Sequence, residues 1–202
     1  SEETPSPSPD GPVSLADSLA TMEPSAVWQH FYDLTQVPRP SHHEEKATAL
    51  VADFGRRLGL ETIVDTAGNV LIRKPATTGM EGRPGVVLQS HLDMVPQPDD
   101  ATIDFQTDPI NAFVDDGWVF ADGTTLGSDD GIGVAIAMAL LEADDIAHGP
   151  LEALFTTNEE DGLTGISALA PDVLKGRLYI NLDNEVEGQF IISSAGSVNV
   201  NA

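Results

Sequence analysis

Apolar residues recur along this chain with two periods, and the switches between them mark out the elements. Val27, Trp28, Phe31 and Leu34 follow helical spacing. Pro24 suits the first turn of that helix, and Pro38 ends it. A second helix carries Ala47, Leu50, Val51, Phe54 and Leu58 on one face. Ser41 and Glu44 precede it with the spacing of a capping box, and Gly59 suits its C-terminal cap. LETIVD and NVLIRK flank Thr66-Ala67-Gly68 as the arms of a hairpin do. Ala112–Val114 and Trp118–Phe120 flank Asp115-Asp116-Gly117 in the same way. GVVLQS (85–90) and LEALFTT (151–157) are short, continuously apolar runs, the pattern of buried strands. Residues 131–141 (GIGVAIAMALL) predict an apolar helix and residues 163–174 a further one. RLYINL (177–182) and QFIIS (189–193) predict two more strands, while residues 96–111 are Asp- and Pro-rich loop. Strands alternating with helices predict an α/β sheet with helices on both faces.

Composition sharpens this picture at the N-terminus. Residues 1–22 are rich in Ser, Pro and acid and poor in large apolar groups, which predicts a disordered tail ahead of a folded unit at 23–202. The chain has 202 residues, 41% of them hydrophobic, enough for one sizeable core. It begins with Ser rather than Met, as a trimmed or partial chain would. No apolar run reaches about 18 residues, so no span of a membrane is expected. No basic stretch leads into an apolar core, so no signal peptide is expected either. Cysteine is absent, so any metal site must be built from His, Asp and Glu. That absence suits a cytoplasmic protein.

Charge narrows the partners. There are 33 Asp and Glu against 9 Lys and Arg, a formal net charge of -24. Such a field repels nucleic acid and anionic membranes, so neither is expected as a partner. The acidity fits two situations, adaptation to high salt or an acidic enzyme with an acidic tail, and the composition leaves both open.

The candidate chemistry lies where buried strands end. GVVLQS runs into His91-Leu92-Asp93, LEALFTT into Asn158-Glu159-Glu160, and RLYINL into Asp183. In open α/β sheets, ligands bind outside the carboxyl ends of the strands. Asp129 and Asp130 stand just before the helix at Gly131, where free N–H groups favour carboxylates. Singly, these residues read as caps, turns or solvated pairs. Together, they would repel strongly in one crevice unless a cation neutralised them. Hard oxygen ligands with one imidazole suit zinc, manganese or cobalt. On an extended chain, His91 and Asp93 point to the same face, and Asp93 is placed to accept the proton of the other ring nitrogen. Glu159 and Glu160 should point apart, so that one can bind metal while the other takes a proton from water. His30, His42, His43 and His148 read as structural or solvent-facing residues.

The segments VVLQSHLDMVPQ, GTTLGSDDGIGVA, TTNEEDGLTG and INLDNEVEG resemble the successive metal and catalytic motifs of the cytosol nonspecific dipeptidases. These enzymes are also called aminoacyl-histidine, Xaa-His or beta-alanyl-histidine dipeptidases. They sit within the zinc peptidase group that includes aminoacylase and carboxypeptidase G. PRPSHHEE, GNVLIRKPAT and HGPLEAL agree with that dipeptidase too, so the resemblance runs from about residue 24 to about 195.

The resemblance implies a mixed, mostly parallel sheet and a site for two Zn2+, with Mn2+ or Co2+ as substitutes. Asp129 would bridge the metals, His91 and Asp183 would complete the first site, and Glu160 would bind the second. Asp93 would orient His91, and Glu159 would be the general base. Asp130 stands where the family usually has Asn, with a modest electrostatic effect expected. The family also has a later metal-binding histidine and a lid domain that makes a homodimer. This chain has no His after His148, so the expectation is a truncated catalytic domain without the lid, weak or inactive alone. Three readings follow: a metallopeptidase acting on dipeptides in the cytoplasm, a related deacylase, tripeptidase or carboxypeptidase, or a non-catalytic metal-binding module.

Overall fold

The computed structural model describes residues 11–99, 103–184, 186 and 188–193. The chain begins with β1 (Val13–Ser14), α1 (Leu15–Ser18) and a 3-10 turn (Leu19–Thr21), followed by α2 (Ser25–Thr35) and α3 (Glu45–Arg57). The hairpin β2 (Glu61–Val64) and β3 (Val70–Lys74) leads to β4 (Val86–His91) and to a second hairpin, β5 (Ala112–Asp115) and β6 (Trp118–Ala121). Then come α4 (Ser128–Glu142), β7 (Leu151–Thr156), α5 (Thr164–Ser167) and β8 (Leu178–Asn181).

The main sheet has the order β2-β3-β7-β4-β8. β3 is antiparallel to both of its neighbours, while β7, β4 and β8 run parallel. The sheet is therefore mixed, with four of its five strands pointing one way. Alternation sorts its side chains into two layers. Val70, Ile72, Leu88, Ala153 and Phe155 pack under α2, α3 and α4 through Leu34, Val51, Phe54, Val134 and Met138. Leu71, Val87 and Leu154 face the other way and are covered by Leu169, Val173 and Leu174, beside the short α5. Both faces being apolar is why these strands read as unbroken hydrophobic runs.

The tail expected through residue 22 is corrected by the structure. Residues 1–10 lie outside the described residues, but Val13 and Ser14 pair with Val114 and Phe113 of β5. Leu15 is fully buried beside Phe31, Ala112 and Ala135. One large apolar side chain with a cavity to fill anchors a segment whose composition is otherwise that of a tail.

Three further expectations change. Only Thr164–Ser167 of the stretch 163–174 is helical, with Asp172 in the left-handed region at φ 62° just after Pro171. Residues 189–193 form no strand, and Phe190 and Ile192 are more than nine-tenths exposed. The backbone of Gln189 is instead engaged by the preceding turn, accepting from Asn184 Nδ2 at 2.8 Å and donating to Val186 O at 3.2 Å.

The capping box is also absent. Glu44 occupies the N-cap position of α3, and no side chain caps that helix. Ser41 and Glu44 are drawn to other partners.

Candidate metal centre

Parallel pairing sets the site. His91 of β4 lies level with Thr156 of β7, and Gln89 lies level with Asn181 of β8. The three strands therefore deliver His91, the Asn158–Glu160 turn and Asp183 to one end of the sheet. α4 delivers the fourth group. Asp129 and Asp130 have non-helical backbone angles inside its first turn, and their carboxylates meet different parts of His91, the ring and the backbone N–H. Asp129 is exposed, whereas Asp130 is buried and accepts the His91 backbone N–H at 3.2 Å.

The sequence-predicted residues converge. His91 Nε2 lies 2.9 Å from Asp129 Oδ1 and 3.9 Å from Asp183 Oδ2. One ligand atom from each of His91, Asp129 and Asp183 falls within 4.8 Å of the others, and the same holds for His91, Glu159 and Glu160. One imidazole and several carboxylate oxygens make a donor set that fits a borderline divalent cation such as zinc, manganese or cobalt. The other ring nitrogen is tied down as a metal-bound imidazole requires. Nδ1 lies 3.0 Å from the Asp93 carbonyl oxygen and 3.4 Å from its Oδ1. The backbone carbonyl is thus the nearer acceptor, which His-x-Asp spacing alone did not reveal.

Asp93 is fully buried and organises the turn opposite. Its Oδ1 accepts the Glu159 N–H at 3.0 Å, and its Oδ2 accepts the Glu160 N–H at 3.2 Å. Ser41 Oγ donates to the same Oδ2 at 2.8 Å. Glu44, also buried, accepts the Asn158 N–H at 2.8 Å. Exposed His42 donates its backbone N–H to Asn158 Oδ1 at 2.7 Å, and its ring meets Asp161 at 2.6 Å. Residues 41–44 thus grip the turn that carries Glu159 and Glu160.

The electrostatics follow from burial in a cluster of like charges. Burial by itself would lower the His91 imidazole, but Asp93, Asp130 and Asp129 overcome it and lift it to about 9. Burial opposes ionisation of Asp93, yet His91, the Glu159 N–H and the Ser41 hydroxyl bring it down to about 2. Asp130 is pushed up to about 7, first by burial and then by Asp183 and Asp129, with His91 opposing. That is more than the modest effect expected of an Asp in this position. Burial raises Glu159 as well, with Asp183, Asp93 and Asp129 adding to it and His91 opposing. Burial and Asp129 raise Glu160. A carboxyl held above its ordinary value is better suited to take and return a proton near neutrality.

Arg39 carries no signal in the sequence that marks it as part of the site. It is 1% exposed, the only Lys or Arg buried among the described residues. Desolvation lowers its guanidinium to about 10, against the pull of Asp93, Asp130 and Asp129. It sits in the PRPSHHEE segment, whose Ser and Glu have the spacing of a helix cap and not of a site.

Comparison with known proteins gives a consistent picture. Residues 87–198 match the model of peptidase family M20/M25/M40. The cytosol non-specific dipeptidase of Escherichia coli (strain K12) is 44% identical over 181 residues, covering 89% of this chain and 37% of that protein. The crystal structure of aminoacylhistidine dipeptidase from Vibrio alginolyticus superposes with a TM-score of 0.81 at 46% identity, over 84% of this chain and 35% of that one. Aminopeptidase PepT from Bacillus cereus ATCC 10987 superposes with a TM-score of 0.67 at 27% identity, over 80% of this chain and 43% of that one. The chain thus spans well under half the length of these relatives.

Proposed function

Since the chain belongs to peptidase family M20/M25/M40, we propose that its folded unit, with Leu15 already in the core, is part of the catalytic domain of a metal-dependent dipeptidase, including Xaa-His dipeptides among its substrates. The observation that carries this reading is the meeting of His91, Asp129 and Asp183 at the ends of β4, α4 and β8. We assign His91, Asp129 and Asp183 to one cation and Glu160, with Asp129 shared, to a second. Zinc is the preferred ion on donor chemistry. A bound divalent cation supplies Lewis acidity, lowering the pKa of a water and polarising a carbonyl oxygen.

The rest is work for the chain's own groups. Glu159 takes the proton of the attacking water and returns it to the leaving amine. Asp93 holds His91 through Nδ1 and holds the Glu159–Glu160 backbone through both carboxylate oxygens. Those contacts keep the base and the imidazole in fixed relation, as pre-organised catalysis demands.

The names of the E. coli and V. alginolyticus relatives support a dipeptide substrate and a cytosolic setting. No helix among the described residues is long and apolar enough to cross a membrane.

The test is zinc titration calorimetry on this chain, with assays of the longer protein on carnosine-like dipeptides, tripeptides and N-acyl amino acids. Zinc uptake by the chain and turnover of dipeptides by the longer protein are expected. Failure of the chain to take up zinc, manganese or cobalt would overturn the metal reading. Preference for tripeptides or N-acyl substrates would replace the dipeptidase reading with another member of the group.

A further inference from the structure

We propose that Arg39 is a positioning residue that sets the distance between the His91 imidazole and the Asp129 carboxylate, and through it the metal affinity of the site. The inference rests on the reading above that His91 and Asp129 hold a cation.

Its geometry is specific. Arg39 Nη1 donates to Leu92 O at 2.9 Å and to Asp93 O at 3.2 Å, while Nη2 donates to Gly127 O. Asp93 O is also the nearest acceptor for His91 Nδ1, at 3.0 Å. One carbonyl oxygen therefore receives both the guanidinium and the ring, so holding that carbonyl holds the imidazole. Gly127 stands two residues before Asp129, at the left-handed φ of 71° that opens the turn into α4. The two ends of one guanidinium thus tie together the strand end that carries His91 and the turn that carries Asp129. The result is the 2.9 Å separation of His91 Nε2 and Asp129 Oδ1.

The surroundings leave no slack. A Cβ at Gly127 would lie 2.5 Å from Arg39 Nη2, and one at Gly131 would lie 2.6 Å from it. The backbone of α4 therefore closes directly on the planar fork. The Arg39 backbone joins the same strap, with its carbonyl accepting the Met94 N–H at 3.1 Å.

Burying a guanidinium on main-chain acceptors, with no ion pair within 4 Å among the described residues, is a costly way to fill space. A lysine has a point charge and no fork, and cannot hold both loops in this geometry. Outer-shell partners of metal ligands commonly set affinity by about 10–100-fold.

The experiment compares the chain with Arg39→Lys and Arg39→Met by zinc chloride calorimetry, with circular dichroism to establish folding and cobalt(II) visible absorption to report ligand geometry. Both variants should fold, bind zinc at least about 10-fold more weakly, and show an altered cobalt spectrum. Parent-like affinity and cobalt spectrum in either folded variant would overturn the proposal. Should a variant fail to fold, arginine side-chain NMR of the unaltered chain decides. Separate, slowly exchanging Nη signals for Arg39 in the zinc-loaded chain are expected, and a single averaged signal would overturn the proposal. If the unaltered chain takes up no zinc, the metal reading itself fails. If it binds zinc and the folded variants bind equally well, only the role of Arg39 fails.

Discussion

Ser41 donates its hydroxyl to the Asp93 carboxylate at 2.8 Å, joining residues 52 positions apart in the chain. The sequence pattern suggested that this serine caps the helix four residues later. It instead serves a fully buried carboxylate whose other contacts are His91 and the Glu159–Glu160 backbone.

Ser41→Ala therefore removes a hydrogen bond to a buried charge while leaving α3 intact. Asp93 is held down to about 2, below its ordinary value, so its contribution to stability is present above about pH 4 and lost as the pH falls towards 2. The substitution should cost about 1–3 kcal/mol at pH 7 and less in acid, with helix content unchanged. Urea unfolding at both pH values checks this, and loss of helix without a pH-dependent loss of stability would restore the capping role.

Zinc binding should release protons. In the metal-free chain His91 titrates at about 9 and is charged at pH 7, whereas a ligating imidazole must be neutral. Asp130, at about 7, gives up a further fraction when a cation arrives nearby. Calorimetry in buffers of different ionisation enthalpy should find about one to two protons released per zinc at pH 7. A binding enthalpy independent of buffer would contradict the assignment of His91 as a ligand.

Asp130→Asn tests the cost of the buried carboxyl. A carboxyl raised to about 7 favours the fold in its neutral form, so stability is fully present below about pH 4 and falls as the pH rises through 7. Asparagine keeps an acceptor for the His91 N–H without the charge. With chelator present, the variant should exceed the parent by about 2–4 kcal/mol at pH 8, and the two should converge near pH 4. Urea midpoints across that range decide, and a pH-independent difference would mean that Asp130 is already solvated.

Glu159→Gln in the longer protein separates base from ligand. Hydrolysis should fall about 10²–10⁴-fold while zinc affinity changes little. Activity and zinc affinity falling together would make Glu159 a ligand, a role its distance from His91 and Glu160 also permits.

The net charge of -24 predicts salt dependence. Molar sodium chloride should raise the thermal midpoint by screening self-repulsion. A midpoint unchanged between dilute buffer and molar salt would remove the high-salt reading of the composition.

The sequence by itself determined the family and the strand and helix pattern from residue 24 to 182, apart from the helix expected over 163–174, of which only Thr164–Ser167 forms. It also picked out the residues at the strand ends, because apolar periodicity is local and a parallel sheet sends its strand ends to one side. Tertiary structure alone decided how the groups between those ends are spent. Leu15 orders a stretch that reads as tail because a pocket formed by Phe31, Ala112 and Ala135 awaits it. Ser41 and Glu44 desert their helix because the Ser41 hydroxyl adds a donor to the buried Asp93 carboxylate and Glu44 accepts the Asn158 N–H. Arg39 reads as an ordinary loop arginine until Leu92, Asp93 and Gly127 close around it. In each case the deciding term is the burial of a particular group by residues distant in sequence, and no local pattern carries it.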